Sequence, residues 1–472
     1  MADTLHSANI SDMDAGDLTA RYFDGTLSPV EVTKDVLARI DRFNPAVNAY
    51  CHVDAEGALQ AARDSEGRWR AGGPAGGLDG VPISIKDLTP VKGMPMRKGS
   101  LTTEAATIAD DMPFVAHLRG AGAVILGKTT TPEFGWKGVT DCKLTGITRN
   151  PWDVSKTPGG SSGGAAAAAA LNLGCLHQGS DGGGSIRIPA GFTGTVGFKP
   201  SFGWIPQVPS SAMTLLSHLG PIGRSVNDVI RMLDIVARPD GRDWYANAPT
   251  RTVWSDGLDD GIAGLRIAFS PNLGYAAVQP EVASLVEDAV RRLSDLGAHV
   301  ELADPGFDDP IGLFDTFWRT GAAKILSTIS EADKARMDPG LVAAAEAGSR
   351  FTAVEYLKAD MDRAALGARM HVFHQKYDLL VTPTLAVAAF EAGRNVPQAD
   401  AGSSGNWTNW TPFSYPFNIT QQPALSAPCG FTSAGLPVGL QFVAAKFRDN
   451  LVLRAARAFL QALPPVFPDA PR

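Results

Sequence analysis

The apolar residues of the chain first recur at a helical spacing. Residues 1–75 are predicted to be helical, and a second helix within them is expected over about 54–70. Ser28 and Glu31 form a capping box with Pro29 at the first helical position, which indicates where the earlier helix begins.

Short strand-like apolar runs alternate with helical segments over the rest of the chain. Strands are predicted at residues 81–85, 123–126, 265–269, 299–302, 379–383 and 437–442, the last of which is expected to close the sheet. Helices are predicted near 112–120, 165–170, 226–237 and 280–296, over much of 309–375 and from residue 450. A loop rich in Gly, Ser, Asn and Trp is expected at 395–410. This alternation predicts an α/β fold built on a mixed sheet.

A single domain is predicted over residues 1–472, with no internal repeat. Its helical N-terminal part covers 1–75, and the core that carries the candidate chemistry covers 76–237. Residues 238–263 are polar and irregular, which predicts a linker, whereas 264–472 complete the sheet and supply further helices and loops.

Composition and charge narrow the class of protein. Hydrophobic residues make up 44% of the chain and charged residues 19%, which is enough for a large buried core. The net charge of −7 and the lack of a basic stripe argue against nucleic acid and anionic membranes as partners. No apolar stretch reaches the roughly 18 residues of a membrane span, and the N-terminus lacks a signal-peptide pattern, so a cytoplasmic protein is expected.

The cysteines and histidines of the chain form no motif of their own. Four cysteines are scattered without CxxC spacing, which predicts reduced thiols and argues against a cysteine-rich metal site. The eight histidines include His371 and His374 at i, i+3 spacing, but no acidic or cysteine partner accompanies them. Neither a metal nor a cofactor is therefore expected.

Two glycine-rich runs carry the candidate chemistry. Residues 159–164 present Ser161, and residues 181–187 present Ser185, among glycines that leave room for a ligand. The second run also lines up backbone N–H groups before its serine, as a developing oxyanion requires. Upstream, an apolar strand delivers Lys86. Two serines and a lysine suffice for acyl transfer without histidine, so a serine hydrolase of amide-type bonds is predicted.

Other glycine-loop chemistries fit these surroundings less well. Gly159-x-Ser161-x-Gly163 has the spacing of an α/β-hydrolase nucleophile elbow, but residues 150–158 before it have the composition of a loop instead of the required strand. A phosphate loop needs Gly-Lys-Ser/Thr at its end, and a dinucleotide loop needs a strand immediately before it. Neither run meets these requirements.

The two runs and their spacing resemble the signature of the amidase signature family of serine hydrolases. Ser161 and Ser185 are 24 residues apart, and Lys86 lies 75 residues before Ser161, as is usual in that family. Further segments with family counterparts extend over nearly the whole chain: residues 80–87, 127–129, 149–152, 197–200, 377–383 and 423–430. The resemblance implies a large mixed β-sheet covered on both faces by helices.

The resemblance also implies a role for each site residue. Ser185 is the nucleophile, Ser161 follows a cis peptide bond and bridges nucleophile and base, and Lys86 is the base. The oxyanion hole consists of the backbone N–H groups of Gly182, Gly183, Gly184 and Ser185. Supporting contacts are expected from Ser162, Asp181 and Arg187.

The candidate base has to be neutral in order to accept a proton. Burial behind an apolar strand supplies a reason, because it disfavours the ammonium form and lowers the pKa of Lys86. The other candidate lysines are expected in loops or wetter surroundings, where they are poorer bases: Lys128, Lys143, Lys156 and Lys199.

Aromatic residues on segments that border the site in the family indicate an apolar or aryl-bearing substrate. They are Trp136, Trp204, Trp407, Trp410, Phe413 and Tyr415. An anilide, a fatty amide and an aryl carbamate all suit them, and the sequence does not separate amide from carbamate or ester hydrolysis. The resemblance also leaves a homodimer open.

The chain departs from the glutamine-hydrolysing subunit of tRNA amidotransferases, which belongs to the same family. Ile188 stands where that subunit has glutamine, and Thr411 stands where it has an aspartate. Thr130 replaces the asparagine that is common in the family after Gly-Lys-Thr. A stand-alone amidase is therefore favoured. The alternative from another class is an inactive binding subunit, against which the intact lysine and serines argue.

Overall fold

Strands and helices alternate along residues 10–246, 253–397 and 406–472, which the computed structural model describes. The strands are β1 (Tyr50–Val53), β2 (Pro82–Lys86), β3 (Val124–Thr129), β4 (Asp141–Cys142), β5 (Gly146–Ile147), β6 (Leu176–Asp181), β7 (Val196–Lys199), β8 (His218–Gly223), β9 (Arg266–Phe269), β10 (His299–Leu302), β11 (Leu379–Pro383), β12 (Ala424–Phe431) and β13 (Pro437–Ala444). The α-helices are α1 (Ala15–Asp24), α2 (Pro29–Val47), α3 (Ala55–Arg70), α4 (Pro113–Gly120), α5 (Gly163–Ala170), α6 (Arg187–Thr193), α7 (Val226–Val236), α8 (Pro280–Asp295), α9 (Ile311–Leu326), α10 (Glu331–Lys334), α11 (Pro339–Gly348), α12 (Ala353–Lys376), α13 (Pro416–Ile419) and α14 (Asp449–Ala462).

Eleven of the described strands form one mixed sheet at the centre of the protein. Their order from edge to edge is β1-β3-β2-β6-β8-β7-β12-β13-β11-β9-β10, and β4 and β5 form a separate pair. β2 is parallel to β3 and β6, and β9 is parallel to β10 and β11, whereas the other pairs are antiparallel. Helices cover both faces of the sheet, so the predicted α/β fold is confirmed. Among the described helices, none combines the length and the apolar character that a bilayer crossing needs.

The N-terminal part is helical with one interruption. Ser28 caps α2 in a capping box with Glu31, and Pro29 is the first helical residue, as predicted. The prediction of helix throughout residues 1–75 is wrong, because β1 lies between α2 and α3 and pairs antiparallel with β3 at one edge of the sheet. Residues 1–9 of this segment lie outside the described residues.

The apolar pattern does not predict four strands inside the sheet, namely β6, β7, β8 and β12. β6 shows why, because it carries the buried polar residues His177 and Gln178. Their partners come from distant parts of the chain: Ser84 Oγ lies 2.7 Å from His177 Nδ1, and the N–H of Lys86 donates to Gln178 Oε1 at 3.0 Å. Polar side chains can be buried where such partners exist, and a local pattern does not contain them.

The prediction that the run at 437–442 closes the sheet is wrong. It forms β13, which lies between β12 and β11 in the interior, and the edges are β1 and β10. Residues 238–246 and 253–263 carry no helix or strand. In the predicted loop at 395–410, Trp407–Trp410 form a short 3-10 turn. Residues 247–252 and 398–405 of these two segments lie outside the described residues.

The topology of the sheet brings three functional segments together. β2 and β6 are parallel neighbours, so their C-terminal ends, Lys86 and Asp181, lie at the same edge of the sheet. β6 leads into the second glycine-rich run, and the first run leads into α5, whose residues are all buried. A Cβ on Gly164 would lie 2.3 Å from Thr130 Oγ1, so only a helix of very small residues packs this closely.

Candidate active site

The end of β2 places Lys86 among three serine hydroxyls. The Lys86 side chain is fully buried, and its Nζ lies 2.7 Å from Ser161 Oγ. Ser162 Oγ lies 2.9 Å from the same nitrogen, and Ser180 Oγ lies 3.0 Å from it. The structure therefore joins the predicted base directly to the first glycine-rich run.

The surroundings of Lys86 change its charge state. Burial lowers its pKa from 10.5 to about 7, because the ammonium form loses its hydration, and the negative charge of Asp181 opposes this effect only in part. Near neutral pH a large fraction of the molecules therefore carries an uncharged amine at this position.

Hydrogen bonds hold the two glycine-rich runs side by side. The N–H of Ser162 donates to the carbonyl of Ser185 at 3.1 Å, which ties the first run to the second. The Thr140 hydroxyl donates to Gly159 O at 2.8 Å, and the peptide bond between Gly160 and Ser161 is cis. Ser161 and Ser185 are 2% and 4% exposed, so both hydroxyls lie at a nearly closed centre.

A buried ion pair anchors the second run. The Arg187 guanidinium donates from Nε and Nη2 to the two carboxylate oxygens of Asp181, each at 3.0 Å, and both side chains are inaccessible to solvent. Burial opposes ionisation of Asp181, but the charge and hydrogen bonds of Arg187 hold its pKa well below the usual range. The remaining Arg187 nitrogen donates to Ser414 O and Gln441 Oε1. Asp181 and Arg187 thus lie where a supporting role was expected.

The four predicted oxyanion donors differ in their availability. The N–H of Gly184 donates to Asp181 Oδ1 at 2.7 Å, so this group is occupied, contrary to the expectation that it faces a substrate. The N–H groups of Gly182, Gly183 and Ser185 have no hydrogen-bond partner within the part of the chain that the structure describes. Gly184 has φ +120°, and a Cβ there would lie 2.5 Å from Ser414 Cβ, so glycine is required at this position.

Aromatic side chains form a wall along the second run. A Cβ on Gly183 would lie 2.7 Å from Phe314 and 3.1 Å from Trp407, and one on Gly182 would lie 3.0 Å from Trp318. Phe314 stacks on Trp318 with ring centroids 5.2 Å apart and contacts Tyr415 at the same separation. We call Phe314, Trp318 and Trp407 the aromatic wall. Of its members, the sequence predicted only Trp407.

The other predicted pocket residues lie at varying distances from this wall. Trp136 adjoins it, since its carbonyl accepts the indole N–H of Trp318 at 3.1 Å. Tyr415 contacts Phe314 and donates to Asp309 at 2.6 Å. Trp410 stacks on Phe192 behind the wall.

Two of the predicted aromatic residues lie elsewhere in the core. Phe413 belongs to a separate apolar cluster and offers its carbonyl to Gln441. Trp204 packs against Trp254 and Phe447 and donates to Asp449, so the structure does not bring it to the glycine-rich run.

Lys128 and Lys199 differ from expectation in their surroundings. Both lie on strands and are fully buried, so the prediction of loops or wetter contexts is wrong for them. Lys128 Nζ donates to Thr89 O at 2.6 Å and lies 3.8 Å from Asp87, and Lys199 Nζ donates to Gln422 O. Each amine is bonded to groups other than the two serines, and this separates them from Lys86.

The pattern of the sequence contained little sign of Phe314 and Trp318. They come from α9, where an i, i+4 pair of aromatic residues resembles the buried face of any amphipathic helix. His218, Ser414 and Asn418, which contact the second run, also lie outside its motif. Among the described residues, no three His, Cys, Asp or Glu side chains are grouped to hold a metal ion.

Comparisons with known proteins agree with this fold and site. The sequence model of the Amidase family matches residues 31–453. An acylamidase from Rhodococcus erythropolis is 38% identical over 456 residues, which cover 96% of this chain and 95% of that protein. The matching subunit of the glutamyl-tRNA(Gln) amidotransferase from Myxococcus xanthus is 34% identical over 479 residues, which cover 95% and 97%. The crystal structure of a bacterial aryl acylamidase of the amidase signature enzymes superposes with a TM-score of 0.88 at 27% identity, covering 96% of both chains.

The chain belongs to the Amidase family, in the group of amidase signature enzymes. It is an amidase, a hydrolase of carbon–nitrogen bonds other than peptide bonds, and its substrate is a small-molecule amide.

We expect Lys86 to lose its proton near pH 7, because burial destabilises its ammonium form. In protein labelled with 13C at lysine Cε, one resonance should titrate near pH 7 and should be missing from a Lys86→Met variant. Lys128, whose pKa burial lowers to about 8, provides an internal comparison that should persist in the variant. A Lys86 resonance that titrates near the ordinary 10.5 would contradict this expectation.

Proposed function

We propose that this amidase works through an acyl-enzyme on Ser185, with Ser161 as proton relay and Lys86 as base. The observation that carries the proposal is the 2.7 Å contact between Ser161 Oγ and the buried Lys86 Nζ. A lysine is an effective base only when it is uncharged at the working pH, and burial provides that condition here.

In the proposed acylation step, neutral Lys86 takes the proton of Ser161 while Ser161 takes the proton of Ser185. Ser185 Oγ forms a bond to the substrate carbonyl carbon, and the carbonyl electrons move onto oxygen. When this tetrahedral intermediate collapses, the C–N bond breaks and the amine leaves with the proton returned through the relay. Water then attacks the acyl-enzyme by the same route and releases the acid.

Backbone N–H groups of the second run are proposed to stabilise the oxyanion. The available donors belong to Gly182, Gly183 and Ser185, whereas Gly184 is bonded to Asp181. Such a donor is worth on the order of 10²–10³ in rate when it is aimed at the developing charge. The role proposed for Gly184 is therefore to shape the loop, together with Ser162, Asp181 and Arg187.

The proposed substrate carries an apolar or aryl group. The aromatic wall supports this, because flat rings against the glycine-rich run offer a stacking surface beside the scissile bond. The names of the acylamidase and aryl acylamidase relatives point in the same direction. A carbamate or an ester is the alternative substrate, since the same attack and the same oxyanion donors serve both.

Glutamine hydrolysis for a tRNA amidotransferase is the less favoured function. Relatives of that kind are 34% identical, but Thr411 offers no charge to a substrate amino group. Thr411 is fully buried, and its hydroxyl donates to Thr408 O at 3.3 Å. Thr130 is also engaged, with Thr148 at 2.7 Å beneath α5.

The proposal includes a cytoplasmic location and a homodimer. All four cysteines are free thiols, which favours a reducing compartment. One face of α12 exposes four large apolar side chains, Val354, Leu357, Met361 and Val372. An antiparallel second copy of α12 would cover them and would set the acidic first half of the helix against the basic second half. Sedimentation velocity should then give twice the mass of the chain.

We expect Ser185→Ala to lower kcat/KM for an anilide by at least about 10³, because no other group can form the acyl-enzyme. A fluorophosphonate should add once to the native protein, and peptide mapping should place the adduct on Ser185. Ser65→Ala, which removes a buried hydroxyl from α3, is the matched control and should keep both activity and adduct. An adduct on Ser161 would refute the assigned nucleophile.

We expect Trp318→Ala to reduce activity selectively on aryl substrates. Loss of an aromatic contact worth about 1.5–3 kcal/mol predicts roughly a 10–100-fold lower kcat/KM for a phenyl-bearing amide. A short aliphatic amide should change by less than about threefold, since it does not reach the wall. Trp204→Ala is the control, because its indole packs against Trp254 in another part of the core. Equal losses for both substrates in Trp318→Ala would argue against an aryl subsite there.

A further inference from the structure

The peptide group between Asp181 and Gly182 is held from behind by two side chains outside the glycine-rich run. Asn418 Nδ2 donates to the Asp181 carbonyl at 2.9 Å, and His218 Nδ1 lies 3.3 Å from the same oxygen. Asn418 belongs to α13, and His218 begins β8, where it pairs in register with Asp181. Both anchors therefore come from elements that are themselves fixed in the fold.

The direction of the Gly182 N–H follows from this anchoring. A trans peptide is planar, with its C=O and N–H pointing in opposite directions, so fixing the oxygen also fixes the hydrogen. The N–H of Gly182 has no partner among the described residues and points away from His218 and Asn418. Without the anchors, glycine at 182 and 183 would let this peptide turn over, because glycine tolerates both conformations.

The neighbouring peptides show that this arrangement is selective. The Gly183–Gly184 peptide is bonded at both ends, with its oxygen accepting from Ser414 Oγ at 2.6 Å and its N–H donating to Asp181. The Gly184–Ser185 peptide resembles the first one, since its oxygen accepts the N–H of Ile188 at 2.7 Å and its own N–H is unpartnered among the described residues. Two peptides are thus anchored through oxygen with a free N–H, at Gly182 and at Ser185.

The tautomer of His218 suits the role of a donor. Its Nδ1 faces two carbonyl oxygens, Leu216 O at 2.8 Å and Asp181 O, so the proton has to reside on Nδ1. Burial, together with the positive charge of Lys199, lowers the pKa of His218 well below its ordinary value and keeps the ring neutral. Its Nε2 is buried with no hydrogen-bond partner within the described residues, consistent with an unprotonated nitrogen.

We propose that His218 and Asn418 are positioning residues that hold the Asp181–Gly182 peptide so that the Gly182 N–H faces the oxyanion. This inference rests on the proposed acyl-enzyme mechanism and adds the residues that preorganise its oxyanion hole. If the peptide turned over, the Asp181 carbonyl would point at the oxyanion, and one donor would be replaced by a repelling dipole.

The test compares two substitutions of one residue. His218→Asn keeps a donor, since the Asn amide nitrogen can occupy the place of Nδ1, whereas His218→Leu removes it. We expect His218→Leu to lower kcat on an anilide by about 10²-fold with KM within about threefold, and His218→Asn to restore most of that loss. The midpoint of the pH–rate profile should stay where it is in the native enzyme, because Lys86 is untouched.

A second readout reports on the oxyanion itself. Sulfur accepts hydrogen bonds more weakly than oxygen, so His218→Leu should lose more activity on an amide than on the matching thioamide. Phe202→Leu, which alters the ring packed edge-on against His218, is the control and should leave the amide-to-thioamide ratio unchanged. If His218→Leu does not fold, Asn418→Ala is expected to give the same selective loss.

The outcomes separate this inference from the proposed function. A native enzyme that is inactive on every amide, or that is not labelled on Ser185, would overturn the proposed function itself. A native enzyme that is active, with His218→Leu equal to it in kcat or with an unchanged amide-to-thioamide ratio, would overturn only the positioning role. A loss in His218→Leu that His218→Asn does not relieve would do the same.

Discussion

The buried ion pair between Asp181 and Arg187 is the interaction on which the rest of the site depends. Asp181 ends β6, and its carboxylate holds the N–H groups of Gly184 and Ile186, which sets the course of the glycine-rich run. Arg187 in turn reaches Ser414, Asn418 and Gln441, three residues from the last fifth of the chain. Removing one member of a buried pair leaves an uncompensated charge, which costs about 3–5 kcal/mol of folding free energy.

The same ion pair determines how strongly Asp181 acts on Lys86. An unpaired carboxylate at this position would favour the ammonium form of Lys86, whereas the guanidinium offsets most of its charge. Burial then dominates, and the pKa of Lys86 falls from 10.5 to about 7. This difference corresponds to roughly 5 kcal/mol in the free energy of protonation. The scaffold that shapes the oxyanion loop is therefore also the condition for a neutral base.

The sequence was sufficient for the reacting groups and much less so for what surrounds them. Lys86, Ser161 and Ser185 lie in runs whose composition is unusual enough to be noticed without a structure. The strand β6 was not predicted, because its polar residues are buried against partners from distant segments. Phe314 and Trp318 have the spacing of an ordinary buried helix face. That Gly184 donates to Asp181 while Gly182 does not is a matter of peptide orientation, which no residue type encodes.

The central claim is that burial makes Lys86 a neutral base that activates Ser185 at ordinary pH. The most direct measurement is the pH dependence of the rate at which a fluorophosphonate labels Ser185 in the native protein, with hydrolysis of the probe measured in parallel. The account predicts a rate that rises with pH through a midpoint near 7 and then levels off. A rate that is independent of pH, or one that rises only near pH 10, would contradict it.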